Sequence, residues 1–419
     1  MQVVCLDDLV AADDELRRIE ALVDWDQVRK TAAPFYKPGG VGRMGLDPAV
    51  LVKLALVLAW RGLPSMRATF RVAATDISIR RFLGYGLTER LPDHSTFSVA
   101  QTKRFADSSV FEQLFTQVLR ACTDAGLVGG RRLVIDGTHV EADAALKSLR
   151  AELSLVKDDD DQPPRDSAKS PSDSGDGARS RPDLKLAKPR TGPTAKRRAS
   201  NQTAVSQTDP DAKLRHKPGH RKHLVHRGQV AADPKHRVII AVQAELATGS
   251  EAAILEDLIT RARFAGHAAS QVAADSGYAS ADSYATLDRL KTTAFIPPQP
   301  AAKHPAAEQA RERMRTRAGR DAALDRQAHA EGSIAELKRH GADRARCRGT
   351  RLLQLQLLAA ATAINLKRLI TLDPAASQGL TGDPDARNRT ILTLADLLTA
   401  TLREIDEILN NESSTGSYG

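Results

Sequence analysis

Two short apolar runs that each end in an aspartate constrain the fold of this chain more than any other feature. Residues 133–138 (LVIDGT) read as a buried strand with Asp136 at its carboxyl edge, before a glycine at which we expect the chain to turn. Residues 271–278 (QVAADSGY) repeat the pattern with Asp275. One Asp-Gly pair is an ordinary turn, but two acids at the ends of neighbouring strands have the geometry of a metal site, since carboxylate oxygens on a rigid backbone suit Mg²⁺. A third acid would complete such a site.

The order of predicted elements around these acids indicates an α/β (α+β) fold. After the first acidic strand we expect a short helix at 144–156, and strands at 229–232 and 238–242 joined by a turn at 233–235. A helix at 250–265, the second acidic strand, a helix at 280–290, a strand at 294–296 and a long helical segment from about residue 311 should follow. This alternation matches an RNase H-like mixed sheet flanked by helices. The third acid then belongs on the helix after the last strand.

Three glutamates follow that last strand, and Glu331 is the natural choice among them. Helical residues advance by about 100° each, so Glu336 points about 140° away from Glu331. Glu312 lies among arginines, where an exposed, charge-paired role is more natural. Gln327, Glu331 and Lys338 are spaced by four and seven residues and therefore share one helix face. We expect Lys338 to hold a phosphate beside the metals.

Composition favours a nucleic-acid partner. A chain of 419 residues can form two or three domains, and its net charge of +9 points to a polyanion, with nucleic acid ahead of a membrane. The longest apolar stretch, residues 352–366, contains three polar amides, so we expect no membrane span. The N-terminus has acids where a signal peptide has bases, which predicts a cytoplasmic protein. Three widely spaced cysteines exclude a disulfide framework.

Residues 1–125 read as an all-helical domain. Capping side chains, glycines and apolar spacing predict helices at 49–60, 66–73, 77–83, 93–105 and 111–122. The helix that ends at Phe105 is similar to those of helix-turn-helix modules, although a solvated helix face has the same composition. The side chains that could lie in a DNA groove are Gln101, Lys103 and Arg104.

The second predicted domain, residues 126–371, is interrupted at about 157–212. That stretch has an acidic run, a basic run and almost no large apolar residues, so we expect a flexible insertion whose basic half adds nonspecific phosphate affinity. Residues 372–419 read as a C-terminal tail with one helix.

A histidine-rich stretch, residues 215–227, follows the insertion. Closely spaced histidines suggest zinc, but no acid or cysteine completes the set and the interleaved cations would repel a metal. We therefore expect a cationic strand that touches phosphates at the rim of the site. Glu141 and Asp143 are either spare ligands or exposed residues of a turn. The four histidines are His216, His220, His223 and His226.

These motifs, taken in order, resemble bacterial insertion-sequence transposases of the DDE class over residues 47–369. The third motif of that family has Tyr and Arg ahead of its Glu, followed by Lys, whereas this chain has Leu324 and Gln327 there, with Arg326 one position early. The matching segments are residues 91–97 (LPDHSTF), 135–138 (IDGT), 208–212 (TDPDA), 274–278 (ADSGY), Glu331 with Lys338, and 363–368 (AINLKR).

The resemblance implies a transposase that binds double-stranded DNA at element ends and target sites. Two Mg²⁺ ions, or Mn²⁺ in their place, would be held by Asp136, Asp275 and Glu331. Arg326, Gln327 and Lys338 would contact DNA. The resemblance also implies a homodimer in the DNA complex and a bacterial, nucleoid-associated location. Two alternatives stay open: a catalytically silent DNA-binding regulator, and a structure-specific endonuclease of the same fold.

Overall fold

A helical region occupies the first part of the chain. The structure, a computed structural model, describes residues 5–36, 45–151, 201, 204–216, 221–247 and 251–372. The predicted helices of this region are confirmed, because side chains cap them where expected: the Asp47 carboxylate accepts from the Ala49 amide at 2.8 Å, and Gly84 ends its helix at a φ of 80°. The helices are α1 (Leu6–Leu9), α2 (Glu15–Leu22), α3 (Trp25–Ala32), α4 (Pro48–Trp60), α5 (Met66–Thr75), α6 (Ile77–Leu83), α7 (His94–Ala100) and α8 (Val110–Asp124).

The second part is a mixed sheet with flanking helices, which confirms the predicted fold class. Its main path runs β4-β5-β1-β7-β8, and β6 also pairs with β5. The central strand β1 is antiparallel to β5 and parallel to β7. The elements are β1 (Arg132–Glu141), β2 (Leu149–Ala151), β3 (Ala204–Ser206), β4 (Lys213–Arg215), β5 (His223–Ala232), β6 (Ile239–Glu245), α9 (Glu251–Phe264), β7 (Gln271–Ala273), α10 (Ala281–Arg289), β8 (Thr293–Phe295), α11 (Pro305–Arg315), α12 (Arg317–Leu337) and α13 (Thr350–Leu372).

The expected turn at Gly137 is wrong. Strand β1 continues through this glycine to Glu141, and Gly137 pairs with Gln229 of β5. A Cβ atom at this position would lie 2.9 Å from Gln229 Oε1 and 3.2 Å from the Tyr278 hydroxyl. Glycine is therefore needed here for close packing rather than for a turn.

Two further boundaries differ from the prediction. The helix expected at 144–156 is a single turn at Leu146–Ser148 followed by β2, and its remainder lies outside the described residues. The insertion is expected to extend to residue 212, but β3 pairs with β2 and the segment after it packs against β5. Residues 157–200 and the tail after Leu372 lie outside the described residues.

The last helix of the described residues, α13, joins the two parts of the molecule. It packs against α4 and α8 of the helical region and against β6 of the sheet, and all four elements contribute to one hydrophobic core. Its length and apolar composition would allow it to cross a membrane, but 72% of that apolar window is buried inside the protein. These properties are those of a core helix.

Candidate active site beside the central strand

Asp136 and Asp275 lie at the same level on one face of the sheet. Strands β1 and β7 are parallel, with Val134 opposite Ala273, and each aspartate follows its strand partner by two residues. Side chains alternate along a strand, so a two-residue step keeps both carboxylates on the same side. Each carboxylate is held by a local amide: Gly137 N donates to Asp136 Oδ1 at 2.8 Å and Gly277 N donates to Asp275 Oδ1 at 2.9 Å.

Helix α12 crosses this face and carries the third acid. An ion pair between Arg132 of β1 and Asp325 anchors the helix, and the guanidinium of Arg132 also lies 5.3 Å from the centre of the Phe295 ring. Glu331 lies less than two turns after Asp325 and is exposed. The anchor therefore sets where Glu331 stands along β1.

Electrostatics connect these groups. Burial is the largest cause that raises the pKa of Asp136, and the negative charges of Asp275 and Glu331 raise it further. The Gly137 amide and the positive charge of Arg326 act in the opposite direction. Asp275 and Glu331 are thus each within electrostatic reach of Asp136, and so is Arg326.

The donor set suits a hard divalent cation. Hydrogen bonds of the described residues use only Oδ1 of each aspartate, and carboxylate oxygens are the ligands that Mg²⁺ prefers. However, no group of three His, Cys, Asp or Glu side chains among the described residues is close enough to form a ready metal site. The three acids therefore lie around β1 and the end of β7 without meeting at one point.

Leu324 and Gln327 stand where the transposases that this chain resembles have Tyr and Arg, and both lie on the surface of α12. Leu324 is 63% exposed and Gln327 is also exposed. Arg326, one position before Gln327, is half-buried and acts on Asp136. Lys338 is partly exposed at the start of the π-helical turn that follows α12. Arg326 thus provides a cation near the acids, one position before the residue at which an arginine is expected.

A buried polar network lies behind Gly137, on the face of the sheet opposite the acids. The Tyr278 hydroxyl donates to Gln229 Oε1, and Gln229 Nε2 donates to Glu245 Oε1. Glu245 also lies 3.4 Å from Nε of Arg227. The network ties the loop that carries Asp275 to the strand beside Asp136. Sequence reasoning missed it because it depends on the pairing of β5 with β1.

The segment 208–212 (TDPDA) fastens α13 to the sheet. Buried Asp209 accepts from the Gly349 amide at 3.2 Å and contacts His226 Nε2 at 2.8 Å. Asp211 accepts from the amide and the hydroxyl of Thr350, at 2.8 and 3.0 Å. The expectation that His226 touches phosphates is therefore wrong, because its side chain is fully buried. His220 lies outside the described residues.

The three N-terminal side chains that are expected to contact DNA differ in how exposed they are. Lys103 is exposed, whereas the guanidinium of Arg104 lies 4.3 Å from the centre of the Tyr36 ring. Gln101 and Arg346 both line a cavity of about 260 Å³ between the N-terminal helices and α13. Of the three side chains, Lys103 is thus the most accessible to a groove.

The remaining acids near β1 are peripheral. Glu141 is exposed at the end of the strand, and Asp143 lies 3.8 Å from Arg348. Glu336 forms an ion pair with Arg368 of α13, so its carboxylate is engaged in helix packing.

Comparison with protein families gives two matches. A family described as Transposase DDE domain matches residues 128–366, and one described as Transposase domain (DUF772) matches residues 4–103. The first match covers more than half of the chain and includes Asp136, Asp275 and Glu331. No curated protein and no solved structure matches the chain significantly.

Proposed function

The chain belongs to the transposases with a DDE domain, and we propose that it cleaves and joins DNA at the ends of a bacterial insertion sequence. The observation that carries this proposal is the placement of Asp136 and Asp275, each two residues beyond the last pair of the parallel strands β1 and β7, within electrostatic reach of Glu331. Burial raises the pKa of Asp136, and the negative charges of Asp275 and Glu331 raise it further; a bound cation would offset both effects.

The three acids would hold two Mg²⁺ ions, or Mn²⁺ in their place. Bound there, the ions would neutralise charge on the phosphate and lower the pKa of the attacking hydroxyl. Water attacks a phosphate at the element end and releases a 3′ hydroxyl, which then attacks a target phosphate in line. Each step forms one P–O bond and breaks one, so neither a covalent enzyme intermediate nor an external energy source is needed.

Side chains of α12 would position the DNA for these steps. Arg326 places positive charge beside Asp136 and would face the phosphate. Gln327 and Lys338 lie on the same side of the helix as Glu331 and would contact the flanking strand. Because the Arg132–Asp325 ion pair fixes the helix to β1, these contacts would be held in register with the acids.

The helical region would bind the duplex outside the site. We assign this role to Lys103, with Arg104 and Gln101 beside it, and propose double-stranded element ends and target DNA as partners. We also propose that the protein is a homodimer when bound to DNA and that it is located in the cytoplasm, associated with the nucleoid.

The decisive variant is Glu331→Gln, which removes a ligand charge without removing a phosphate contact. With a supercoiled plasmid that carries this gene and its flanking DNA, we expect Mg²⁺-dependent nicking and strand transfer to fall by roughly a hundredfold or more. Binding of the same DNA, measured by gel shift, should be nearly unchanged.

Glu312→Gln is the matched control, since Glu312 is exposed on α11 and carries the same charge. Its activity should equal that of the unaltered protein. Full activity of the Glu331 variant together with loss in the Glu312 variant would refute the triad. DNA binding without any nicking by the unaltered protein would identify a regulator, and nicking without strand transfer would identify an endonuclease.

A further inference from the structure

Four basic side chains share the face of the sheet opposite the acids. In the antiparallel pairs, His139 of β1 stands opposite Arg227 of β5, and Arg215 of β4 stands opposite His223 of β5. Paired residues project to the same face, and His223 and Arg227 are four residues apart, so all four project together. Asp136 is three residues from His139 and therefore projects to the other face.

Lys338 adds its charge to this group from the end of α12. We name the set the cationic surface, and all of its members are partly exposed. Burial, and after it the positive charges of the other four members, lowers the pKa of His139 to about 4. The other four members therefore all lie within electrostatic reach of His139. The members are His139, Arg215, His223, Arg227 and Lys338.

Within the described part of the chain, an acidic side chain lies beside one member of this surface. Arg227 is 3.4 Å from Glu245. Arg215 and Lys338 have no ion pair with any described residue. Two cations that have no described acidic partner and stand next to a neutral imidazole are suited to an anion with several oxygens.

The dimensions of the surface fit a nucleic-acid backbone. From His139 to Arg215 the surface crosses two strand spacings and runs four residues along β5, on the order of 15 Å. One strand of duplex DNA carries a phosphate about every 3.4 Å along its axis, so about four phosphates span that length.

We propose that the cationic surface binds the phosphate backbone of duplex DNA next to the cleaved phosphate, with Arg215 and Lys338 making the charged contacts. The inference rests on the proposed function and adds the path of the DNA. From Glu331 the duplex continues past Lys338, around the end of β1 and over His139 to the β4 strand.

The test uses the full chain and a fluorescein-labelled duplex of mixed sequence, without divalent cations. Fluorescence anisotropy at a series of KCl concentrations gives the slope of log affinity against log salt. Arg215→Ala should reduce that slope by about one and weaken binding roughly three- to tenfold at low salt, because one phosphate contact is lost. Arg215→Lys should restore the slope.

Arg289→Ala is the matched control, because this exposed arginine on α10 is paired with Glu256 at 2.7 Å and lies outside the cationic surface. Its slope should equal that of the unaltered chain, which excludes a simple effect of net charge. Circular dichroism melts would verify that each variant is folded.

An unchanged slope and affinity in Arg215→Ala, with binding by the unaltered chain intact, would overturn the proposed path but not the transposase function. Equal losses in the Arg215 and Arg289 variants would overturn it as well, since they would indicate only long-range charge. If the unaltered chain bound no duplex even at low salt, both proposals would fail together.

Discussion

At the scale of single residues, Asp136 holds its charge at a cost in stability. Its pKa is raised in the folded protein by burial and then by the neighbouring acids, while the unfolded chain has the ordinary value. A carboxyl group of this kind destabilises the fold above its unfolded pKa, and that loss disappears as the pH falls below it. The folded protein therefore carries a penalty at neutral pH in the absence of cations.

Asp136→Asn should consequently stabilise the protein at pH 7 without metal. We expect the free energy of unfolding to rise by about 0.5–2 kcal/mol, the usual range for such substitutions. The gain should shrink as the pH is lowered toward 4. Urea unfolding followed by circular dichroism at several pH values measures both effects.

Asp325→Asn should instead lower the free energy of unfolding, because Asp325 is paired with Arg132 and the variant loses this favourable interaction.

Added MgCl₂ should raise the melting temperature of the unaltered protein but have a smaller effect on Asp136→Asn. A destabilised Asp136→Asn protein at pH 7 would contradict this account of the site.

The sequence indicates the candidate residues but not their surroundings. Spacing along a strand and along a helix is local, so the sequence alone is enough to propose Asp136, Asp275 and Glu331. Which cation stands near them depends on how α12 lies across β1, and the nearby residue is Arg326. The role of Gly137 depends on a side chain from β5 that is remote in sequence.

At the scale of elements, α13 completes the edge of the sheet through one side chain. Asn365 Oδ1 accepts from the Ile239 amide at 2.9 Å, and its Nδ2 donates to the Ile239 carbonyl at 2.8 Å. All of these groups are buried, so water cannot replace the amide. The residue thereby satisfies the polar groups at the start of β6.

Asn365→Ala should therefore destabilise the protein by about 2–5 kcal/mol, because it leaves a buried donor and a buried acceptor without partners. Urea unfolding of the purified variant would measure the loss. Gln354→Ala is the matched comparison: this amide makes the same kind of contact with Ala244 and Val242, but at a part-exposed position that water can reach. A loss as large in Gln354→Ala would contradict the role of burial.

Helices are easier to predict than short strands, for a physical reason. A helix is specified by neighbouring residues and by its caps, as with Asp47 before α4. Strands β2 and β3 have three residues each and pair across more than fifty residues of chain, so neither is specified locally. Segment 208–212 likewise has the composition of an insertion, and only its contacts with α13 and β5 make it part of the folded sheet.

At the scale of the whole molecule, the predicted boundary near residue 125 can be tested through α13. Because this helix buries itself against α4 and α8, removing it would expose apolar faces of the helical region. The division into an N-terminal and a catalytic domain stays a prediction.

A fragment of residues 1–125 should lack a cooperative urea transition and should bind the dye ANS, whereas the full chain should unfold cooperatively. Circular dichroism and ANS fluorescence would measure the two properties. A fragment that unfolds cooperatively with a stability close to that of the full chain would indicate an autonomous domain and would contradict this expectation.

The late position of α13 in the chain also governs when the protein can fold during its synthesis. The ribosome releases α4 and α8 first, yet the helix that covers them follows only after the whole sheet. At roughly 5–20 residues per second, the interval between Asp124 and Thr350 lasts on the order of ten to forty-five seconds. Throughout that time the nascent chain displays its uncovered apolar faces to chaperones, and a message cut short before α13 would yield no active product.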